Sequence, residues 1–157
     1  MISPFVLPLY GVGSDVNGFP FFISPVMENG NVETYLRSVK NQSNFREEVL
    51  YDLARGMEYL HDVANVVHTD LKPGNALVNR DKRGVIADFG FAQLTGLMSK
   101  SMSLPGSWRF LPPERLGHAL KITGAESLVT KAGDVYAFGI MMWFVSTCAD
   151  TIIVHSA

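Results

Sequence analysis

The run from Ser43 to His61 constrains the fold more than any other stretch of the chain. Its apolar residues Phe45, Val49, Leu50, Leu53, Ala54, Met57 and Leu60 fall on one face at helical spacing. Charged Arg46, Glu47, Asp52 and Arg55 are expected mostly off that face. A helix of this kind must bury its apolar stripe against other elements. The chain beyond His61 is of a different kind. Val66-Val67, Ala76-Leu77-Val78 and Val85-Ile86-Ala87 are short β-type pieces, and the polar turn from Asn79 to Gly84 can join the last two as a hairpin. Ahead of the helix, Val6 to Val12 reads as a strand that Pro8 pushes toward a sheet edge. Gly18-Phe19-Pro20 reads as a turn and Phe21-Phe22-Ile23 as a second strand. Asn31 is placed to cap a helix from Val32 to about Lys40.

Composition narrows the class. The chain has 157 residues, enough for one hydrophobic core, with 47% apolar and 18% charged residues. A net charge of −2 points to neither a nucleic-acid nor a membrane surface. The single cysteine, Cys148, excludes an intrachain disulfide framework, and a reducing, cytoplasmic setting is expected. Met1 to Val12 is apolar but lacks a basic start and is not read as a signal peptide. Val135 to Ala149 is uncharged yet shorter than the roughly 20 residues a bilayer requires, so a buried core helix starting at Asp134 is expected. The Ser-rich segment 91–111 has little periodicity, as functional or disordered loops do.

Four short motifs occur in order: His68-Thr69-Asp70-Leu71-Lys72-Pro73-Gly74-Asn75, Asp88-Phe89-Gly90, Gly106-Ser107-Trp108-Arg109-Phe110-Leu111-Pro112-Pro113-Glu114, and Asp134-Val135-Tyr136-Ala137-Phe138-Gly139. The first two carry the groups that phosphoryl transfer needs. Metal ions must neutralise phosphate charge, and another group must orient the attacking hydroxyl. Magnesium takes a few hard oxygen ligands and keeps several waters, and Asn75 and Asp88 supply such oxygens from two loops. Asp70 and Asn75 can project from one loop, and Lys72 can bring positive charge to the transferred group.

In order and spacing these motifs resemble the protein kinase family, from about Pro4 to Phe144. The resemblance implies an α+β, protein-kinase-like fold: a mostly helical C-lobe over 31–148, an N-lobe sheet remnant and hinge over 1–30, and a tail over 149–157. It implies Asp70 as catalytic base, Lys72 at the γ-phosphate, and Asn75 and Asp88 holding magnesium. ATP would meet Ser24 as gatekeeper, Val26 and Met27 through hinge backbone groups, and Leu77 under the adenine. His68, Phe89 and Leu9 would join a stacked apolar spine, and Asp134 would bind the catalytic-loop backbone. Lys72-Pro73 and Gly106-Ser107 resemble serine/threonine kinases, and Tyr136, Trp143 and Trp108-Arg109-Phe110 the tyrosine-kinase-like group among them.

The sequence also departs from that pattern. Thr69 stands where the family usually has an Arg that pairs with a phosphorylated activation-loop residue. Phosphorylation of Ser99, Ser101 or Ser103 is therefore not expected to order the loop through this position. Pro112-Pro113-Glu114 replaces Ala-Pro-Glu, and the usual Arg partner of Glu114 lies in a helix beyond this sequence. No G-x-G-x-x-G loop or V-A-I-K strand precedes the hinge, and the first lysine is Lys40. The chain thus reads as a kinase cut at both ends, with little activity expected of it alone.

Blander readings stand beside these. His68 alone fits a core histidine, Asp88-Phe89-Gly90 an ordinary turn, and the serines of 99–103 a solvated loop. Met141, Met142, Trp143 and Phe144 read as core packing, and His61, His118 and His155 as structural or surface residues. The functional expectation is ATP-dependent phosphorylation of protein serine or threonine. The alternatives are a catalytically inactive remnant acting as an interaction module, and an unstable product whose helix from Asp134 exposes an apolar patch.

Overall fold

A computed structural model of the chain describes residues 3–39, 43–95, 108–119 and 129–147. Ser99, Ser101, Ser103, Gly106, Ser107, Cys148, His155 and the tail from Ala149 lie outside them. The first hairpin pairs β1 (Gly11–Ser14) antiparallel with β2 (Pro20–Ile23). The Asp15 side chain closes its turn by accepting bonds from the Asn17 and Phe19 amides, both at 2.8 Å. The expected strand from Val6 to Val12 is displaced. Pro8 has no N–H for a ladder, so regular pairing starts only at Gly11. Upstream, Val6 makes an isolated parallel bridge to Ile86.

Helix α1 (Val32–Ser38) begins where expected. The Asn31 side chain accepts a bond from the Thr34 amide at 2.9 Å, satisfying one of the donors a helix start leaves open. Helix α2 (Ser43–Glu58) runs into a π-helical turn, Tyr59–Val63, in which the Ala64 amide donates back to the Tyr59 carbonyl. The periodicity could not separate an α-helix to His61 from this wider final turn, since both keep Leu60 on the buried side.

Beyond this turn come two short pairs: β3 (Val66–Val67) with β6 (Gln93–Leu94), and β4 (Ala76–Val78) with β5 (Gly84–Ile86), all antiparallel. The β4–β5 hairpin is the one expected from the polar turn. Asn79 organises it, its side chain accepting from the amides of Asp81 and Arg83. Helix α3 (Pro113–Ala119) and helix α4 (Lys131–Thr147) complete the described chain.

The core joins Val32, Tyr35 and Leu36 of α1 to Phe45, Val49, Leu53 and Met57 of α2, and to Ala137, Met141 and Val145 of α4. Val78 and Ile86 seal it from the hairpin side. Two expectations about helix faces change. Ala54 is exposed, whereas Asp52 of α2 is fully buried at 0%. Its carboxylate accepts two bonds from the Arg83 guanidinium, at 2.7 and 2.5 Å, and one from the Gly84 amide at 2.9 Å. A carboxylate tolerates burial when its oxygens are so satisfied. Gly84 permits the approach, because a Cβ there would stand 2.8 Å from the Val49 side chain. Asp52→Ala is expected to lower stability by about 2–4 kcal/mol, since it strands the Gly84 amide and leaves a cavity. Urea unfolding checks this, and an unchanged midpoint would refute the latch.

The second change concerns α4. Asp134, Ala137, Met141 and Val145 form its buried stripe, and Phe144 packs against the core from its margin. Met142 and Trp143 are exposed, Trp143 at 64%, together with Val135 and Tyr136. Uniform hydrophobicity hid which face is covered, because no polar residues mark the outer side.

Candidate active site

The loop between β3 and β4 gathers the candidate residues, and α4 anchors it. Asp134 is buried on α4, and its Oδ2 accepts from the His68 amide at 2.7 Å while Oδ1 accepts from the Thr69 amide at 2.8 Å. His61, on the π-helical turn, lies with Nε2 2.9 Å from Asp134 Oδ2. Three groups from two segments thus converge on one carboxylate.

His68 is wholly buried. Its Nε2 lies 2.9 Å from the Ala87 carbonyl, and its Nδ1 lies 3.3 Å from the Asp70 amide. Only a neutral ring with the proton on Nε2 satisfies both, donating to Ala87 and accepting from Asp70. The ring also packs against Phe89, with centroids 5.2 Å apart. The expected third member of this stack is not there: Leu9 is 57% exposed. The proline-interrupted segment carries it along the outer hairpin rather than toward Phe89.

Thr69 takes a left-handed backbone, φ 71°. For a β-branched residue this conformation costs about 1–3 kcal/mol and needs surroundings that enforce it. Its hydroxyl donates to the Phe91 carbonyl at 2.8 Å, and its own carbonyl accepts from Arg115 Nη1 at 2.9 Å.

Asp70 is buried, and its Oδ2 accepts from Lys72 Nζ at 2.6 Å and from Asn75 Nδ2 at 3.0 Å. Asn75 Nδ2 also donates to the Asp70 carbonyl at 2.9 Å. The short 3₁₀ turn Pro73–Asn75 makes this return possible, with the Asn75 amide donating to the Lys72 carbonyl. The structure therefore brings Asp70, Lys72 and Asn75 into one hydrogen-bonded cluster. Among the described residues both bonds from the Asn75 side chain use its nitrogen, which leaves Oδ1 open as an oxygen ligand.

Asp88 follows β5. The Ala87 amide donates to the Asn75 carbonyl at 2.9 Å, which sets the start of the Asp88-Phe89-Gly90 turn beside the loop that carries Asp70. Asp88 is exposed and has φ 64°, and its Oδ1 accepts from the Gly90 amide at 3.3 Å, its one hydrogen bond among the described residues. An exposed carboxylate and a free amide oxygen fit magnesium, a hard ion that keeps waters and shares phosphate oxygens. Among the described residues no group of three or more His, Cys, Asp or Glu side chains could hold a metal unaided.

The residues expected around an adenine lie on the segment before α1 and on β4. Asn31 bridges to Leu77, the Val78 amide donates to the Gly30 carbonyl at 2.8 Å, and the Asn29 amide donates to the Val78 carbonyl at 3.3 Å. Leu77 and Ser24 are half-buried, whereas Val26 is 81% exposed. The Met27 carbonyl accepts from the Gly30 amide at 3.0 Å.

Sequence reasoning missed Arg115 and the role of His61. Arg115 is buried, 5% exposed, and its Nη1 donates to the Thr69 carbonyl. Burial pulls its pKa below the ordinary value, while nearby Asp134, Asp70 and Glu114 act in the opposite direction. Nothing in the residues around Arg115 signals burial, since an arginine in a short polar helix reads as surface.

A family model described as "Protein tyrosine and serine/threonine kinase" matches residues 2–155. The chain belongs to the protein kinase family. Among its relatives is the rice (Oryza sativa subsp. japonica) LysM domain receptor-like kinase 10, 34% identical over 152 residues, covering 90% of this chain and 24% of the relative. The Arabidopsis thaliana serine/threonine/tyrosine-protein kinase HT1 is 36% identical over 128 residues, 80% of this chain and 30% of its own length. The human receptor-interacting serine/threonine-protein kinase 4 is 32% identical over 148 residues, 91% of this chain and 17% of the relative. The kinase chain thus spans less than a third of each of these relatives. Among the described residues no helix is long and apolar enough to cross a membrane.

Proposed function

We propose that this kinase chain carries the site that transfers the γ-phosphoryl group of ATP to a serine or threonine hydroxyl of a protein, with magnesium. The carrying observation is the buried cluster of Asp70, Lys72 and Asn75, tied through the Asn75 carbonyl to the Asp88 turn. Asp70 would orient the acceptor hydroxyl and receive its proton as the new oxygen–phosphorus bond forms and the bond from the γ-phosphorus to the bridging oxygen breaks, ADP leaving with that electron pair. Lys72, already beside Asp70, would offset charge on the transferred group. Asn75 Oδ1 and the Asp88 carboxylate would hold magnesium, which when bound neutralises charge on the phosphates. Adenine would lie against Leu77, with Ser24 behind it and the Val26 and Met27 backbone at its edge. The serine/threonine preference rests on Lys72-Pro73 and on the human receptor-interacting serine/threonine-protein kinase 4 among the relatives.

The test is phosphotransfer from labelled ATP to a generic protein substrate by the chain and by Asp88→Asn, each read above an enzyme-free blank because little activity is expected of the chain alone. The substitution is expected to lower the signal by at least about a hundredfold. Equal signals would sink the proposal. A second reading, a non-catalytic interaction module, draws on the first hairpin, which exposes Phe19, Phe21, Phe22 and Ile23. Equal signals combined with capture of a partner by this hairpin would favour it.

A further inference from the structure

We propose that Arg115 and the Thr69 hydroxyl act together as a positioning device, holding the backbone before Asp70 in register with the Asp88-Phe89-Gly90 turn. The consequence for turnover rests on the phosphotransfer reading; the holding of the loop does not.

Thr69 has a left-handed backbone that a β-branched residue rarely keeps unless its surroundings enforce it. Three bonds from three separate segments converge on it. Asp134 of α4 holds its amide, Arg115 of α3 holds its carbonyl, and its own hydroxyl holds the carbonyl of Phe91, the residue after Gly90. Asp70 is the next residue, so a rotation at Thr69 swings the Asp70 carboxylate away from Lys72 and Asn75.

Arg115 is otherwise hard to account for. A buried guanidinium is a poor stabiliser unless its donors are paired, and among the described residues its Nε finds no partner. Its one bond among the described residues goes to the carbonyl beside Asp70. That bond is where its effect on the molecule lies. The family pattern places an arginine at position 69 itself, where it awaits a phosphate. Here position 69 carries an uncharged hydroxyl, and the guanidinium arrives from α3 at a buried place. The link between catalytic loop and turn is therefore built into the fold and needs no modification.

Amide hydrogen exchange on the full chain tests this, comparing Thr69→Val, Thr69→Ser, Arg115→Met and Arg115→Lys. Thr69→Val removes the hydroxyl and keeps the branch. It is expected to speed exchange at His68, Thr69 and Asp70 by roughly five- to tenfold, the ratio for one hydrogen bond, with Val49 and Leu53 of α2 unchanged. Thr69→Ser should restore wild-type protection. Arg115→Met should act like Thr69→Val, and Arg115→Lys should lie between. If Arg115→Met does not fold, the two Thr69 variants decide.

Wild-type protection in Thr69→Val, or equal loss in Thr69→Ser, would overturn the inference. In phosphotransfer, Thr69→Val is expected to lower kcat by about tenfold or more, with KM for ATP moving less than about threefold and with rescue in Thr69→Ser. Raised exchange with unchanged kcat would also overturn the positioning role. A wild-type chain that transfers no phosphate would count against the proposed function alone, and the exchange comparison would then decide the anchoring.

Discussion

Asp70→Asn is expected to lower phosphotransfer by about a thousandfold, within the 10²–10⁴ range for removing a positioned acid–base group. The substitution barely changes volume, and a side-chain oxygen can still accept from Asn75, so the loop keeps its shape. What disappears is the negative charge that Lys72 meets at 2.6 Å and that would draw the proton from an acceptor hydroxyl. KM for ATP should move by less than about threefold, because the group lost interacts with the acceptor rather than with the nucleotide. Initial rates at varied ATP and substrate, with circular dichroism as a check on folding, settle the matter. A variant retaining even a tenth of wild-type turnover would remove Asp70 from the base role. It would leave the Asp70–Lys72–Asn75 cluster a structural knot.

Much of this site is legible in the sequence alone. Residue types and spacing single out Asp70, Lys72, Asn75 and Asp88; the structure joins the first three by hydrogen bonds and sets the Asp88 turn beside them, while their roles belong to the proposal. The β4–β5 hairpin and the Asn31 cap are legible for a related reason. Each depends on local side chain-to-backbone bonds, which short sequence windows record. What stays hidden depends on partners distant in sequence. Asp52 is charged and sits in an amphipathic helix, so it reads as solvent-facing. Only its meeting with Arg83, 31 residues on, makes its burial tolerable. Arg115 lies 46 residues from Thr69, and no periodicity connects them. On α4 the failure is of another sort. A helix apolar on all sides gives no contrast between faces, so Met142 and Trp143 could not be told from Met141 and Val145.

The largest effect on stability is expected at Asp134. Removing its carboxylate by Asp134→Ala leaves the amides of His68 and Thr69 and the His61 ring without their acceptor, in a place water does not reach. Each buried donor left unpaired costs about 1–3 kcal/mol, and the three share one acceptor, so the losses do not simply add. A total of about 3–5 kcal/mol is expected, as for breaking other buried charged networks. For a chain of this size that is a fall of roughly 10 °C in Tm. Asp134→Asn should be nearly as harmful. Its amide can present one oxygen but turns an NH2 group toward another donor, whereas Asp134 accepts on both oxygens. Arg115 aggravates both changes, since Asp134 is among the charges that oppose the depression of its pKa by burial. Thermal unfolding of the two variants beside Val135→Ala, at an exposed position of the same helix, separates this from a general weakness of α4. Equal midpoints for Asp134→Ala and Val135→Ala would show that the loop carrying Asp70 holds its shape without the Asp134 carboxylate, and the strained Thr69 backbone would then need another support.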